Sequence, residues 1–117
     1  MDDGLHRRLD TWWLAIDLAD RVYVLLRDLP QGHADGRSQA TRAADSIARH
    51  IAEGANRRSR ADKVHRFRIA LGELAEVDSA LLVLHRRVGL ARDPYLAVGG
   101  LLTRVAKGLG GLIRRLE

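Results

Sequence analysis

The sequence contains no cysteine. That excludes a disulfide framework and any thiolate metal site, and it fits a reducing, cytoplasmic setting. Long apolar runs are missing too. A stretch such as SALLVL, residues 79–84, falls far short of the roughly 20 residues that span a bilayer, so a soluble protein without a membrane partner is expected. The N-terminus MDDGLHRRLD is acidic and then basic, with none of the apolar stretch and small-residue cleavage site of a secretory signal. No segment alternates apolar and polar residues as a half-buried strand does, and no internal repeat is present.

The marks of common chemistries are equally absent. The glycines build neither a GxxxxGKS/T phosphate loop nor a GxGxxG turn after a strand. Ser46 lacks the flanking glycines of a nucleophile elbow, and a small residue bonding its own helix backbone is the expected role. His50 with Glu53, and Asp62 with His65, are spaced three apart on helical segments. A carboxylate-bridged metal pair needs a Glu-x-x-His motif on each of two helices and a Glu from each of the other two. Here the first pair is reversed, the second has Asp, and Glu73 and Glu76 fall on a segment already used. Neither a catalytic centre, a metal site nor a cofactor is therefore expected.

What the chain has is helical periodicity. Its 117 residues suit one domain, residues 1–117. Leu9, Trp12, Ile16, Ala19, Tyr23 and Leu26 recur at intervals of three and four, which predicts a helix over about 10–28 with Asp10 as its N-cap. LPQGHADGRS reads as a loop, broken by Pro30, Gly32 and Gly36. A second helix, about 38–55, has the small residues Ala40, Ala43, Ala44 and Ala52 with Ile47 and Ile51 on its inner face. Gly54 suits a left-handed helix end, and Ser59 with Asp62 resembles a capping box opening a third helix, about 60–88. That helix turns Val64, Phe67, Leu71, Leu74, Leu81 and Leu84 inward and is closed by Gly89. Asp93 and Pro94 cap and open a fourth, about 94–116, whose glycines weaken it so that packing must hold it. The predicted fold is all-α, an antiparallel up-down four-helix bundle.

Charge then points to a partner. The formal net charge is +5 and the pI is near 10.6, which favours polyanions. From Arg37 to Arg68 there are nine Lys or Arg against three acids, whereas the rest of the chain carries eleven against twelve. Arg57, Arg58, Arg60, Lys63, Arg66 and Arg68 straddle a helix start, where unpaired backbone N–H groups also favour anions. These six are the candidate nucleic-acid contacts, acting through phosphate neutralisation with low sequence specificity. Phe67 is the sole aromatic among them, which argues against base stacking as the main term and for duplex or structured RNA. The alternative is a structural assembly or adaptor protein whose basic residues pair with Glu73, Glu76 and Asp78 of a neighbour. A helix-turn-helix reader is a weaker option, because the helices flanking GANRR are too long for a compact module. Glu53, beside small residues, is expected to pair with Arg57, Arg58 or a guanidinium of the next helix. Trp12 and Trp13 cannot share one face, which makes Trp13 a candidate subunit contact.

LDTWWLAIDLA, SQATRAADSIARHIAEGANRRS and RFRIALGELAEV, with the IAEG and ALG combination at this spacing, resemble the four-helix bundle family of 23S rRNA intervening-sequence proteins, often labelled S23 ribosomal proteins. Glu53, Gly54 and Gly72 belong to the matching motif. The resemblance spans nearly the whole chain. It implies an antiparallel four-helix bundle that assembles as a homo-oligomer, a ring of five, without established catalytic activity. It also implies a likeness to the accessory proteins of diversity-generating retroelements, which bind nucleic acid beside a reverse transcriptase. Ala48, His50 and Glu73 stand where the family usually has proline, asparagine and serine.

Overall fold

Periodic apolar residues fold this chain into four helices because each buries one face against two neighbours. The computed structural model describes residues 4–117, and residues 1–3, with the acidic Asp2 and Asp3, lie outside them. After a short 3-10 turn at Leu5–Arg8 come α1 (Asp10–Leu26), α2 (Ala34–Ala55), α3 (Arg60–Val88) and α4 (Arg92–Leu116). No strand occurs among the described residues. α1 packs on α2 and α4, and α3 packs on α2 and α4, which is the arrangement of an up-down four-helix bundle. The 29 residues of α3 account for the long axis of 44 Å at about 1.5 Å per residue.

The α2–α3 pair is the most extensive contact, and its closeness follows from small side chains. Ala40, Ala43, Ala44 and Ala48 are all buried, interleaved with Ile47 and Ile51. They meet Phe67, Ala70, Leu74, Val77, Leu81 and Leu84 from α3. Gly54 belongs to this contact. It lies inside α2 with ordinary backbone angles, and a Cβ there would come within 2.7 Å of Phe67 Cε1. The expectation that Gly54 ends the helix in a left-handed conformation is therefore corrected: it is a glycine so that the Phe67 ring can lie on the helix. Ser46 donates its hydroxyl to Ala43 O at 2.8 Å, within its own helix.

Several boundaries shift for similar reasons. α2 begins at Ala34, a turn earlier than the periodicity predicts, and takes in Gly36, which sits against Leu84 of α3. The close approach of Gly36 to Leu84 of α3 shows that the glycine read as a breaker instead lets this first turn lie on α3. Leu9 rather than Asp10 occupies the N-cap of α1, and Ala91 rather than Asp93 that of α4; neither position makes a side-chain capping bond. The buried face of α1 is Thr11, Ala15, Leu18, Val22 and Leu26, one residue around from the expected stripe, and Tyr23 points out, 57% exposed. α1 is apolar over a wide arc, so spacing alone does not choose its face. The choice follows from α4, whose Gly108 lies so close to Thr11 that a Cβ would overlap the hydroxyl.

Two ends do form as expected. Ser59 Oγ accepts from Asp62 N at 3.1 Å, and Gly89 closes α3 with φ of 70°. His85 Nδ1 then accepts from Leu90 N at 3.0 Å and its ring stacks on Tyr95, joining α3 to α4. α4 is long and apolar enough by composition to cross a bilayer, which the length of unbroken apolar runs does not show because glycines, Thr103 and single cations interrupt it. Its Val98, Leu101, Leu102, Val105, Leu109 and Ile113 are buried in the bundle core.

Candidate nucleic-acid interface

The turn between α2 and α3 is only four residues, Asn56 to Ser59, and its backbone is held at both sides. Asn56 N donates to Ala52 O at 3.2 Å and Arg57 N to Gly54 O at 3.2 Å, while Ser59 caps α3. So tight a turn cannot fold its long side chains back over itself. Arg57, Arg58 and Arg60 are exposed and make no side-chain hydrogen bond or ion pair among the described residues. They are solvated cations at the N-terminal end of a 29-residue helix, where the macrodipole adds to their attraction for an anion.

The other three members of the expected cluster have internal partners. Lys63 Nζ donates to Ala55 O at 2.8 Å, satisfying a carbonyl at the C-terminus of α2. Arg66 Nη1 lies 3.0 Å from Glu53 Oε2, so the partner of Glu53 is the guanidinium of the next helix and neither Arg57 nor Arg58. Arg68 pairs with Glu117 at the end of α4. The run that reads as one basic patch thus divides into three exposed arginines and three cations tied into the bundle. Phe67 cannot stack on a base, being 3% exposed beneath Gly54.

The fold adds cations that linear clustering overlooked. Asn56 anchors the N-terminal turn, accepting from Leu5 N at 3.2 Å and approaching His6 Nδ1 at 2.9 Å. This brings Arg7 and Arg8, both exposed, beside the α2–α3 turn. Arg7 in turn lies over Trp12, 5.9 Å from the ring centroid, and its carbonyl accepts from Trp13 Nε1 at 2.9 Å. Trp13 is 48% exposed, with its polar end already occupied. Arg115, from the last turn of α4, shares a cavity of ≈ 250 Å³ with Leu5, Leu9, Lys63 and Phe67. In an up-down bundle the start of α1, the end of α2, the start of α3 and the end of α4 share one pole, and here that pole is basic.

The remaining sequence candidates do not assemble into chemistry. His50 Nδ1 is 3.6 Å from Glu53 Oε2, beyond hydrogen-bond distance, and is a buried nitrogen without a hydrogen-bond partner among the described residues. His65 is exposed on the other side of the turn, near Arg60 and Arg68. Among the described residues no three His, Asp or Glu side chains are placed to hold a metal ion. Gly72 is exposed, and a Cβ there would meet nothing within 4 Å, so no packing within this chain calls for the glycine.

Comparison with known proteins agrees with this architecture. No curated protein matches the chain. A solved structure from Bacteroides thetaiotaomicron, a protein of unknown function from the S23 ribosomal protein family, superposes with a TM-score of 0.80 at 26% identity; the match covers 89% of this chain and 95% of that one. The model of the 23S rRNA-intervening sequence protein family matches residues 7–111, which takes in the basic turn and all but the last residues of α4. The chain belongs to the 23S rRNA-intervening sequence protein family.

Proposed function

We propose that this protein is a non-enzymatic, homo-oligomeric helical bundle that binds RNA or DNA through its phosphates, with the exposed Arg57, Arg58 and Arg60 as the principal contacts. The observation that carries this reading is the lack of partners for these three side chains, in a chain where their neighbours Lys63, Arg66 and Arg68 are all engaged. Lys63, Arg66 and Arg68 shape the surface and contribute to its field rather than gripping phosphate. Arg7, Arg8 and Arg115 widen the same pole. Such a surface neutralises charge without reading base edges, so binding is of low sequence specificity.

An assembly or adaptor role is the second reading. It is favoured by large apolar side chains left on the outside, among them Val24, Leu82, Val83 and Leu96, which are between 43% and 56% exposed. The two readings are compatible if the bundle forms the ring of five that the resemblance implies, because several weak basic poles on one particle act together through effective concentration. Sedimentation equilibrium at micromolar concentration measures the mass, and a monomer would remove the oligomeric part of the proposal.

The binding part is tested with labelled duplex DNA and an RNA hairpin, by fluorescence anisotropy across a salt series. Affinity is expected to fall steeply with salt and to be similar for unrelated sequences. Each lost phosphate contact should reduce the log-log slope by roughly 0.9 on duplex DNA or 0.7 on single strands. Reversal of Arg57, Arg58 and Arg60 to Glu weakens binding to all sequences alike while the helical signal and particle mass stay as they are. Absence of any retention at low salt, or a triple reversal that breaks the oligomer of a protein that never bound nucleic acid, assigns the turn to assembly instead.

A further inference from the structure

At the pole opposite the arginine turn, the last turns of α1 and the first half of α2 enclose an open cavity of ≈ 460 Å³. Tyr23, Arg27, Arg37, Ser38, Thr41 and Arg42 line it. Sequence clustering had counted Arg37 and Arg42 only as part of a charge excess, because the residues that complete the cavity belong to another helix. Arg37 Nη1 donates to Leu29 O and Arg42 Nε to Ser38 O, each at 3.4 Å. Those bonds hold both guanidinium groups along the wall while most of their five N–H donors stay unused. Neither has a carboxylate within salt-bridge distance among the described residues, whereas Arg27 is partly neutralised by Asp28 at 3.7 Å. Ser38 and Thr41 add two hydroxyls. Tyr23, a residue 57% exposed, supplies an aromatic face and a hydroxyl that makes no bond among the described residues.

We infer that this cavity takes one unpaired nucleotide of a nucleic-acid strand, its phosphate held by Arg37 and Arg42 and its base stacked on Tyr23. Phosphate alone would need only the cations. An exposed aromatic ring beside two guanidinium groups without a carboxylate partner matches the two halves of a nucleotide, as in single-strand binding surfaces generally. A base still paired in a duplex would have to be unstacked and unpaired, at a cost in free energy, to reach the ring, so the favoured occupant is an overhang, bulge or loop. The inference rests on the proposed binding at the arginine turn and extends it. Arg42 lies in the first half of α2 and Arg57 in the turn just past its end, about 22 Å apart along the helix axis. Arg49, exposed two turns beyond Arg42 on the same stripe, marks the path between them. That span equals about six or seven base pairs at ~3.4 Å per phosphate along one strand.

The test compares one duplex, blunt or carrying a five-nucleotide single-stranded overhang, on the wild-type protein and on three variants. The wild type is expected to bind the overhang probe about five- to 150-fold more tightly, the range of one base–aromatic stack. Tyr23→Ala lowers the overhang probe to the affinity of the blunt one, Tyr23→Phe retains the preference, and Arg37→Gln with Arg42→Gln reduces the salt slope on the overhang probe. A circular dichroism melt confirms that each variant is folded. Equal wild-type affinity for the two probes, or a preference that survives Tyr23→Ala, overturns the inference and leaves binding at the arginine turn standing. Binding of neither probe overturns both. Equal affinity for 5′-AMP and for the overhang probe removes the strand from the assignment, and a Tyr23→Ala protein of altered mass gives the cavity to a subunit contact.

Discussion

Gly54 and Gly72 are two helical glycines from the same family motif, and the structure assigns them opposite responses to the same added methyl group. At Gly54 the new Cβ would lie 2.7 Å from Phe67 Cε1, 2.9 Å from Phe67 Cδ1 and 3.1 Å from Arg66 Cβ. The ring cannot swing away, because Phe67 is 3% exposed and packed into the core between α2 and α3. Overpacking of this kind costs about 1–3 kcal/mol. With contacts this short against a ring that is pinned, the upper part of that range, about 2–3 kcal/mol, applies; alanine recovers about 1 kcal/mol of helix propensity over glycine, so the net expectation for Gly54→Ala is a loss of about 1–2 kcal/mol. At Gly72 nothing lies within 4 Å of the added carbon, and only the propensity gain of about 1 kcal/mol remains. For a chain of this size 1 kcal/mol moves Tm by about 4 °C. Thermal melts followed by circular dichroism at fixed protein concentration should therefore separate the two variants by about 8–12 °C, Gly54→Ala below wild type and Gly72→Ala above it. If Gly54→Ala melts at or above the wild-type temperature, the close approach of Phe67 is not what requires glycine there, and the account of the α2–α3 contact is wrong.

Glu53→Gln removes the charge that faces Arg66 at 3.0 Å. Both side chains are about a third exposed, so solvent screens the pair and the expected loss is about 0.5–1 kcal/mol, seen as a Tm lower by about 2–4 °C with nucleic-acid affinity not reduced, since the basic pole loses a negative charge. An unchanged melt together with loss of a measured activity would contradict the structural role. Ser59→Ala deletes the acceptor of Asp62 N and should cost about 1 kcal/mol in urea denaturation, with an unchanged m-value; a variant as stable as wild type would mean that the cap is supplied by solvent.

How much was legible in the sequence differs from one element to the next, and the differences have physical causes. Helix content, the Ser59 cap and the Gly89 stop were readable because each depends on contacts within a few residues of chain, and four amphipathic helices with short connections leave the antiparallel bundle as the way to bury their apolar faces. Periodicity specifies a buried face when one side of a helix is polar, as in α2, and leaves it open when most of the circumference is apolar, as in α1. There the tertiary contact between Thr11 and Gly108 selects the face and turns Tyr23 outward. Gly54 was conspicuous in the sequence, yet its reason lies thirteen residues away on another helix. The six cations of the turn were visible as a run, but a run does not tell a partnered side chain from a solvated one. Only the folded chain brings Arg66 to Glu53, Lys63 to the end of α2 and Arg68 to Glu117. Arg7, Arg8 and Arg115 were illegible as members of the same pole because chain distance hides what antiparallel packing joins, and the Tyr23 cavity was illegible for the same reason. The sequence by itself determined the helices and the sign of the charge, which are local and additive quantities. The tertiary structure alone decided which charges are left without partners and where they meet, since these depend on groups distant in the chain.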